Sequence, residues 1–114
     1  MRIAGMTKHT IAVLSLLAAA STGSAWAANP EAGQKIAAGV CIACHGLTGN
    51  SDNPDYPRLG GQHPDYLAKA LRDYQSGARN NAIMKGFAGM LKAEDIENVA
   101  TWYANQPRVL GIKR

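Results

Sequence analysis

The pentapeptide Cys41-Ile42-Ala43-Cys44-His45 constrains this chain more than any other stretch. Two cysteines separated by two residues can each form a thioether with one of the two vinyl groups of a porphyrin, and the histidine that follows then stands beneath the metal. The pattern therefore predicts one covalently attached haem, haem c, held by Cys41 and Cys44, with His45 as the fifth ligand of its iron.

A Cys-x-x-Cys pair can also belong to a zinc site or to a thioredoxin-like redox centre, but the sequence supports both less well. A zinc site needs about four ligands, which Cys41, Cys44, His45 and His63 could supply, but the adjacent Cys44 and His45 are hard to close around one ion. A thioredoxin-like redox pair needs a strand before the motif and a βαβ pattern around it, and neither is visible. Haem attachment remains the favoured hypothesis.

Residues 1–27 have the organisation of an export signal. Arg2 and Lys8 precede an apolar run at 11–20, and Ala25-Trp26-Ala27 has the small-x-small form of a signal peptidase site. An apolar run of about ten residues is short of the ~20 that a membrane-spanning helix needs, so a retained anchor is the weaker alternative. We expect cleavage after Ala27, a single mature domain at 28–114 with no membrane span, and a periplasmic location.

Charge and size limit what the exported domain can do. The chain has 12 Lys and Arg, of which Arg2 and Lys8 leave with the signal. The remaining ten basic and eight acidic side chains give the exported domain a net charge of +2. No run of basic residues longer than Lys113-Arg114 occurs, which disfavours nucleic-acid binding. A domain this small often needs a metal, a disulfide or a cofactor for stability. Cys41 and Cys44 are the only cysteines, so a haem would take the place of a disulfide.

The helical patterns predict an all-α fold with three main helices. The first begins with Asn29 as N-cap and Pro30 at the first helical position, and runs towards Val40 to deliver the cysteines. The second begins at Pro64 and ends at Ser76, with Gly77 as its C-terminal cap.

The third predicted helix starts near Ala93 and ends before Pro107, which cannot continue it. Its apolar residues share one face and should be buried: Ile96, Val99, Ala100 and Tyr103. Between residues 46 and 62 the density of Gly, Asn, Asp, Ser and Pro predicts a loop. A loop of this length in a small domain needs something to pack against, and a haem edge would serve.

The sixth iron ligand is left open by the residues themselves. The candidates are Met84, Met90, His63 and the lysines. A thioether is a soft, neutral ligand that favours ferrous iron and raises the reduction potential relative to a second imidazole. Buried methionines more often only fill a core, however. His63 would give a low-potential bis-imidazole centre, but its place before Pro64 at a helix start is typical of a solvated or capping residue.

Several short motifs between residues 29 and 106 occur in the same order in one known family. They are Cys41-Ile42-Ala43-Cys44-His45-Gly46, Gly49-Asn50, Tyr56-Pro57-Arg58-Leu59-Gly60-Gly61-Gln62, Tyr66-Leu67, Ile83-Met84, and Leu91, Glu94, Asp95 and Ile96 leading into Trp102-Tyr103. In these motifs the chain resembles class I cytochromes c, most of all the short bacterial periplasmic ones and the single-haem halves of the dihaem kind. The resemblance implies a monohaem cytochrome c domain, with helices and loops wrapped around one haem.

The resemblance also implies roles for individual residues. In that family the methionine ligand lies about a dozen residues before the first buried aliphatic of the last helix, which selects Met84, twelve before Ile96, as the sixth ligand. A proline carbonyl about twelve residues after the ligand histidine accepts its second N–H, which selects Pro57. Arg58 would lie near a haem propionate and Leu59 would form an apolar wall. Pro57 could equally well rigidify a turn, and Arg58 could be a solvated surface residue.

The function that the resemblance implies is one-electron transfer in the periplasm by Fe(II)/Fe(III) cycling, without enzymatic activity. Expected donors are a quinol-oxidising complex or a dehydrogenase, and expected acceptors are a terminal oxidase or a reductase, in weak contacts of small area. Two alternatives stay open. One is a haem-based sensor or enzyme for a small molecule, with a labile or absent sixth ligand. The other is a dedicated cytochrome subunit of a dehydrogenase.

Overall fold

A computed structural model describes residues 27–109 of this protein, and within them it contains helices and no strand. The predicted all-α fold is thus confirmed for this part of the chain. The predicted signal peptide, apart from Ala27, lies outside the described residues. The helices are α1 (Pro30–Ile36), a π-helical segment (Ala37–Cys41), α2 (Ile42–His45), α3 (Pro64–Ser76), α4 (Ala82–Gly89) and α5 (Ala93–Ala104).

The first three of these elements form one continuous helical rod. As predicted, Asn29 caps it, its side-chain oxygen accepting the backbone N–H groups of Glu31 at 3.0 Å and Ala32 at 3.2 Å. The rod continues past the predicted Val40 through the π-helical segment to His45, and ends at Gly46, whose φ of 77° favours glycine. Single π turns inside helices are frequent at functional sites. Here the segment ends at Cys41, the first cysteine of the motif.

Helix α5 crosses α1 closely and supplies most of the core. A Cβ at Gly33 of α1 would lie 2.0 Å from the carbonyl oxygen of Asn98, so this crossing requires glycine. Ile96, Val99, Ala100 and Tyr103 are all buried, which confirms the predicted inward face of α5. They pack with other buried residues of the π-helical segment and α3, namely Ala37, Leu67 and Ala68.

Helix α3 has the bounds that the sequence predicts. Pro64 is its first residue, and Gly77 follows its end in the left-handed conformation with φ 84°. Helix α4 was not predicted, because Gly86, Gly89 and the asparagines before it favour irregular chain over such a short helix. Local capping contributes to its formation, since the Asn81 side chain accepts the backbone N–H of Met84 at 3.0 Å.

The predicted loop after the motif is confirmed, and backbone hydrogen bonds hold it in place. The carbonyl oxygen of Gly49 accepts the N–H groups of Leu59 at 2.7 Å and Gly60 at 3.2 Å, and the N–H of Gly61 donates to the carbonyl of Tyr103 at 3.0 Å. The loop is therefore closed on itself and fastened to the end of α5. Among residues 27–109, no helix has the length and apolar character needed to cross a membrane.

Candidate haem-binding site

The Cys-x-x-Cys-His motif lies where the helical rod ends against the core. Cys41 closes the π-helical segment, while Cys44 and His45 form the end of α2. Both cysteines are half-buried and neither is in a disulfide. His45 is only 7% exposed, and no other polar or charged side chain among residues 27–109 is buried. A buried imidazole beside two free thiols is the arrangement that covalent haem attachment needs.

The orientation of the His45 ring is set by the loop. Its Nδ1 lies 2.9 Å from the carbonyl oxygen of Pro57, and because a carbonyl can only accept, Nδ1 carries the proton. Nε2 is then the nitrogen with a lone pair available to a metal. The ring of Tyr56 meets the imidazole edge-on, with centroids 6.2 Å apart.

The thiols are influenced by two tyrosines. Burial raises the pKa of Cys41, the nearby Tyr103 side chain opposes this shift, and the negative charge of a Cys44 thiolate would raise the pKa further. The pKa of Tyr103 is itself raised, mainly by burial. A hydrogen bond to Cys44 raises the pKa of Tyr56. Both tyrosines are therefore neutral hydrogen-bond donors at neutral pH, and the Cys41 thiol of the unattached chain is protonated.

Two adjacent aromatic residues of α5 fasten the chain just after the motif. The Tyr103 hydroxyl donates to the carbonyl of Gly46 at 3.0 Å, and Trp102 Nε1–H donates to the carbonyl of Leu47 at 2.8 Å. The sequence predicts only a packing role for Tyr103, and it predicts neither hydrogen bond. The signal available was the polar atom that each ring carries, since a buried Tyr or Trp usually finds a hydrogen-bond partner.

Arg58 and Leu59 follow Pro57 in the same loop. Leu59 is half-buried and packs against the core. Arg58 donates through Nη1 to the carbonyl of Val109 at 3.1 Å, and its Nη2 lies 3.5 Å from Asp52 Oδ1. Its Nε–H is buried and has no hydrogen-bond partner among residues 27–109. A buried donor without an acceptor is costly, and an anionic group is the acceptor that a guanidinium binds best.

The three specific candidates for the sixth ligand occupy different environments. Met84 is half-buried in the first turn of α4, whereas Met90 follows the end of that helix and is 62% exposed. His63 is exposed before α3, and its side chain makes no capping hydrogen bond. Of these three, Met84 is the residue whose side chain is most shielded from solvent.

The zinc and thioredoxin alternatives lose their structural basis in the described part of the chain. Among residues 27–109, no three His, Cys, Asp or Glu side chains come together as a metal site would require, so His63 does not join the motif. The strand that a thioredoxin-like pair needs is absent from the same residues. The residues that are present fit a haem instead: two free thiols, an oriented imidazole and a buried guanidinium donor.

Comparison with known proteins gives one consistent result. Residues 30–106 match the family described as Cytochrome c. Cytochrome c4 of Thiocapsa roseopersicina is 43% identical over 83 residues, covering 73% of this chain and 43% of that protein. A thiosulfate dehydrogenase electron acceptor of Thiomonas intermedia is 45% identical over 96 residues, covering 82% of this chain and 41% of its own length.

The solved structures agree with the sequence comparison. The crystal structure of reduced recombinant cytochrome c4 from Pseudomonas stutzeri superposes with a TM-score of 0.63 at 32% identity, covering 68% of this chain and 48% of that one. The chain thus spans about half the length of the relatives that it matches.

Proposed function

Since this chain belongs to the cytochrome c family, we propose that it is a one-electron carrier and not an enzyme, and that residues 28–114 form its mature domain. The cofactor is haem c, and the single Cys-x-x-Cys-His sequence provides for one haem per chain. The haem, when bound, supplies an Fe(II)/Fe(III) couple. The observation that carries the proposal is the buried His45 at the end of the motif, with its Nδ1–H donated to Pro57.

On this proposal the proximal side of the site is built by the motif and the loop. Cys41 and Cys44 would form the two thioethers, and His45 would bind iron through Nε2. The Pro57 carbonyl holds the ring in one tautomer and one orientation, and makes the imidazole a stronger donor. A ligand fixed in this way moves little when the iron changes charge, which suits electron transfer.

The sixth iron ligand is assigned to Met84. Its thioether would favour ferrous iron relative to a second imidazole, and its half-buried position on α4 supports it over the exposed Met90 and His63. Arg58, whose Nε–H has no hydrogen-bond partner among residues 27–109, is assigned to a haem propionate, and Leu59 to the apolar wall of the pocket.

The proposed location is the periplasm, reached through the signal peptide predicted at 1–27. Partners would be a quinol-oxidising complex or a dehydrogenase as donor and a terminal oxidase or a reductase as acceptor. The relative named as an electron acceptor of thiosulfate dehydrogenase favours a second candidate, a carrier dedicated to one dehydrogenase. Stopped-flow reduction by a purified dehydrogenase and by a quinol-oxidising complex would separate a dedicated carrier from a general one.

Carbon monoxide binding tests the proposal against a haem-based sensor or enzyme. A six-coordinate carrier should show the far-red methionine–iron absorption band when oxidised and should resist carbon monoxide when reduced. A protein that binds carbon monoxide readily and lacks this band would support the sensor or enzyme instead.

The variant Met84→Ala tests whether Met84 is the sixth ligand of the iron. The far-red band should disappear, carbon monoxide should bind, and the reduction potential should fall, because a stabiliser of ferrous iron has been removed. Met90→Ala is the matched control and should leave all three properties unchanged. Persistence of the band in Met84→Ala, with its loss in Met90→Ala, would reverse the assignment.

A further inference from the structure

Helix α4 carries the proposed iron ligand Met84 but has few apolar contacts of its own. Ala88 is its one buried residue, whereas Ile83 and Phe87 are exposed. A Cβ added at Gly86 or Gly89 would meet nothing within 4 Å. Contacts with the rest of residues 27–109 therefore bury little apolar surface of α4, and polar contacts with the protein contribute to its placement.

The strongest of these contacts comes from Gln75 in the last turn of α3. Its Nε2 lies 2.7 Å from the carbonyl oxygen of Ala88 and 2.9 Å from that of Leu91. A side-chain amide nitrogen has two N–H groups, and here each has an acceptor. The Ala88 carbonyl also accepts the backbone N–H of Leu91 at 3.1 Å, so Gln75 adds a second hydrogen bond at the end of α4 and joins that end to α3.

The anchored residue lies on the same face of α4 as the proposed ligand. Ala88 follows Met84 by four residues, and side chains four apart on a helix lie one above the other. At the start of the helix, the backbone N–H of Met84 donates a hydrogen bond to the side-chain oxygen of Asn81. A shift of Ala88 relative to α3 would therefore displace Met84 as well.

We propose that Gln75 is a positioning residue that holds the Met84 sulfur where it can bind the haem iron. The inference rests on the proposed function, since it takes Met84 as the sixth ligand. Without the two hydrogen bonds from Gln75, α4 should move away from α3 more often and the iron–sulfur bond should open more often. The Gln75 side chain donates to the carbonyl oxygens of Ala88 and Leu91, so its proposed effect on Met84 is indirect, through the position of α4.

The test compares haem-loaded wild type with Gln75→Leu, which keeps apolar volume and helix propensity but has no donor. Imidazole added to the oxidised protein binds only iron whose sulfur is detached, so its apparent affinity rises with the detached fraction. We expect this affinity to rise about tenfold on losing two hydrogen bonds, and the far-red methionine–iron band to weaken. Arg72→Ala is the matched control, because it removes a contact from α3 to Glu97 of α5 and leaves α4 untouched.

A second variant keeps the proposal testable if Gln75→Leu folds poorly. Gln75→Glu has the same shape but places acceptors against two carbonyl oxygens, and should increase imidazole affinity at least as much. Unchanged imidazole affinity and band in a folded Gln75 variant would overturn the inference, and so would an equal rise in Arg72→Ala. If the wild type lacks the methionine–iron band, or Met84→Ala retains it, the proposed ligation has failed and the role of Gln75 fails with it; a normal band that Met84→Ala abolishes, together with unchanged Gln75 variants, overturns the role of Gln75 alone.

Discussion

The two sides of the proposed haem site are built differently. On the His45 side, the ligand is buried, its ring is oriented by Pro57, and the chain after it is bonded to Trp102 and Tyr103 of α5. On the Met84 side, the proposed ligand lies on a short helix whose Ile83 and Phe87 are not covered by other parts of residues 27–109. That helix is joined to α3 through the side-chain amide of Gln75.

The difference indicates where rigidity is needed and where it is not. On the proposed function, a haem tethered to Cys41 and Cys44 would stay on the His45 side even when the sixth ligand is detached. On the same proposal, Met84 would complete the coordination of the iron, and its bond could open without loss of the cofactor. We therefore expect substitutions near His45 to affect global stability, and substitutions on α4 to affect mainly the sixth coordination position.

The largest effect should come from Gly49→Ala on the His45 side. Gly49 has a φ of 73°, and an added Cβ would lie 2.6 Å from the backbone nitrogen of Gly60 and 2.8 Å from the Tyr103 ring. The loop would have to move as a whole, and we expect the free energy of unfolding of the haem-loaded protein to fall by about 3 kcal/mol. Denaturant titration measures it. A loss below about 1 kcal/mol would mean that the loop is not rigid. The His45 side would then not be the more rigid of the two sides.

A smaller loss is expected from Tyr103→Phe. The Gly46 carbonyl loses the hydroxyl donor but keeps the N–H of Gly49 at 3.2 Å, so stability should fall by about 1 kcal/mol. Trp102→Phe, which removes the bond to Leu47, should have a similar effect. If neither substitution lowers the denaturation midpoint, α5 does not hold this side of the site.

The same tyrosine should make stability depend on pH in the alkaline range. Burial raises the pKa of Tyr103 in the folded protein, so above about pH 10 the unfolded chain loses this proton first. Wild-type stability should be unaffected by this group below that pH and should fall as pH rises beyond it. In Tyr103→Phe, the free energy of unfolding should not show this decrease, because the variant has no hydroxyl to titrate. The difference in stability between wild type and variant should therefore become smaller as pH rises. A difference that stays constant up to about pH 11 would contradict this prediction.

The smallest effect should come from Gly86→Ala on α4. An added Cβ meets nothing within 4 Å there, and alanine favours a helix over glycine. We expect the free energy of unfolding, measured by thermal or denaturant titration, to rise by about 0.5–1 kcal/mol. Its contrast with Gly49→Ala is the most direct measure of the difference between the two sides. Destabilisation by Gly86→Ala would show that α4 is packed more tightly than its exposure indicates.

Much of the fold follows from local sequence, because caps and helix breakers act over a few residues. The Asn29 cap, the start of α3 at Pro64 and its end before Gly77 are all where the sequence predicts them. Helix α4 was missed because its glycines and preceding asparagines favour loops locally, while two of the contacts that hold it come from Gln75, outside the helix. The bonds from Trp102 and Tyr103 were missed for the same reason, since their acceptors lie 55 and 57 residues away in the chain.

The sequence alone determined the chemistry of attachment, because two thiols and an imidazole within five residues need no tertiary contact to lie side by side. It also determined which face of α5 would be buried, since helical periodicity orders apolar residues without reference to their partners. Tertiary structure decided which nitrogen of His45 is free. It also decided which side chains hold each side of the site in place through hydrogen bonds and packing. These depend on atoms brought together from distant parts of the chain, whose spacing no local pattern records.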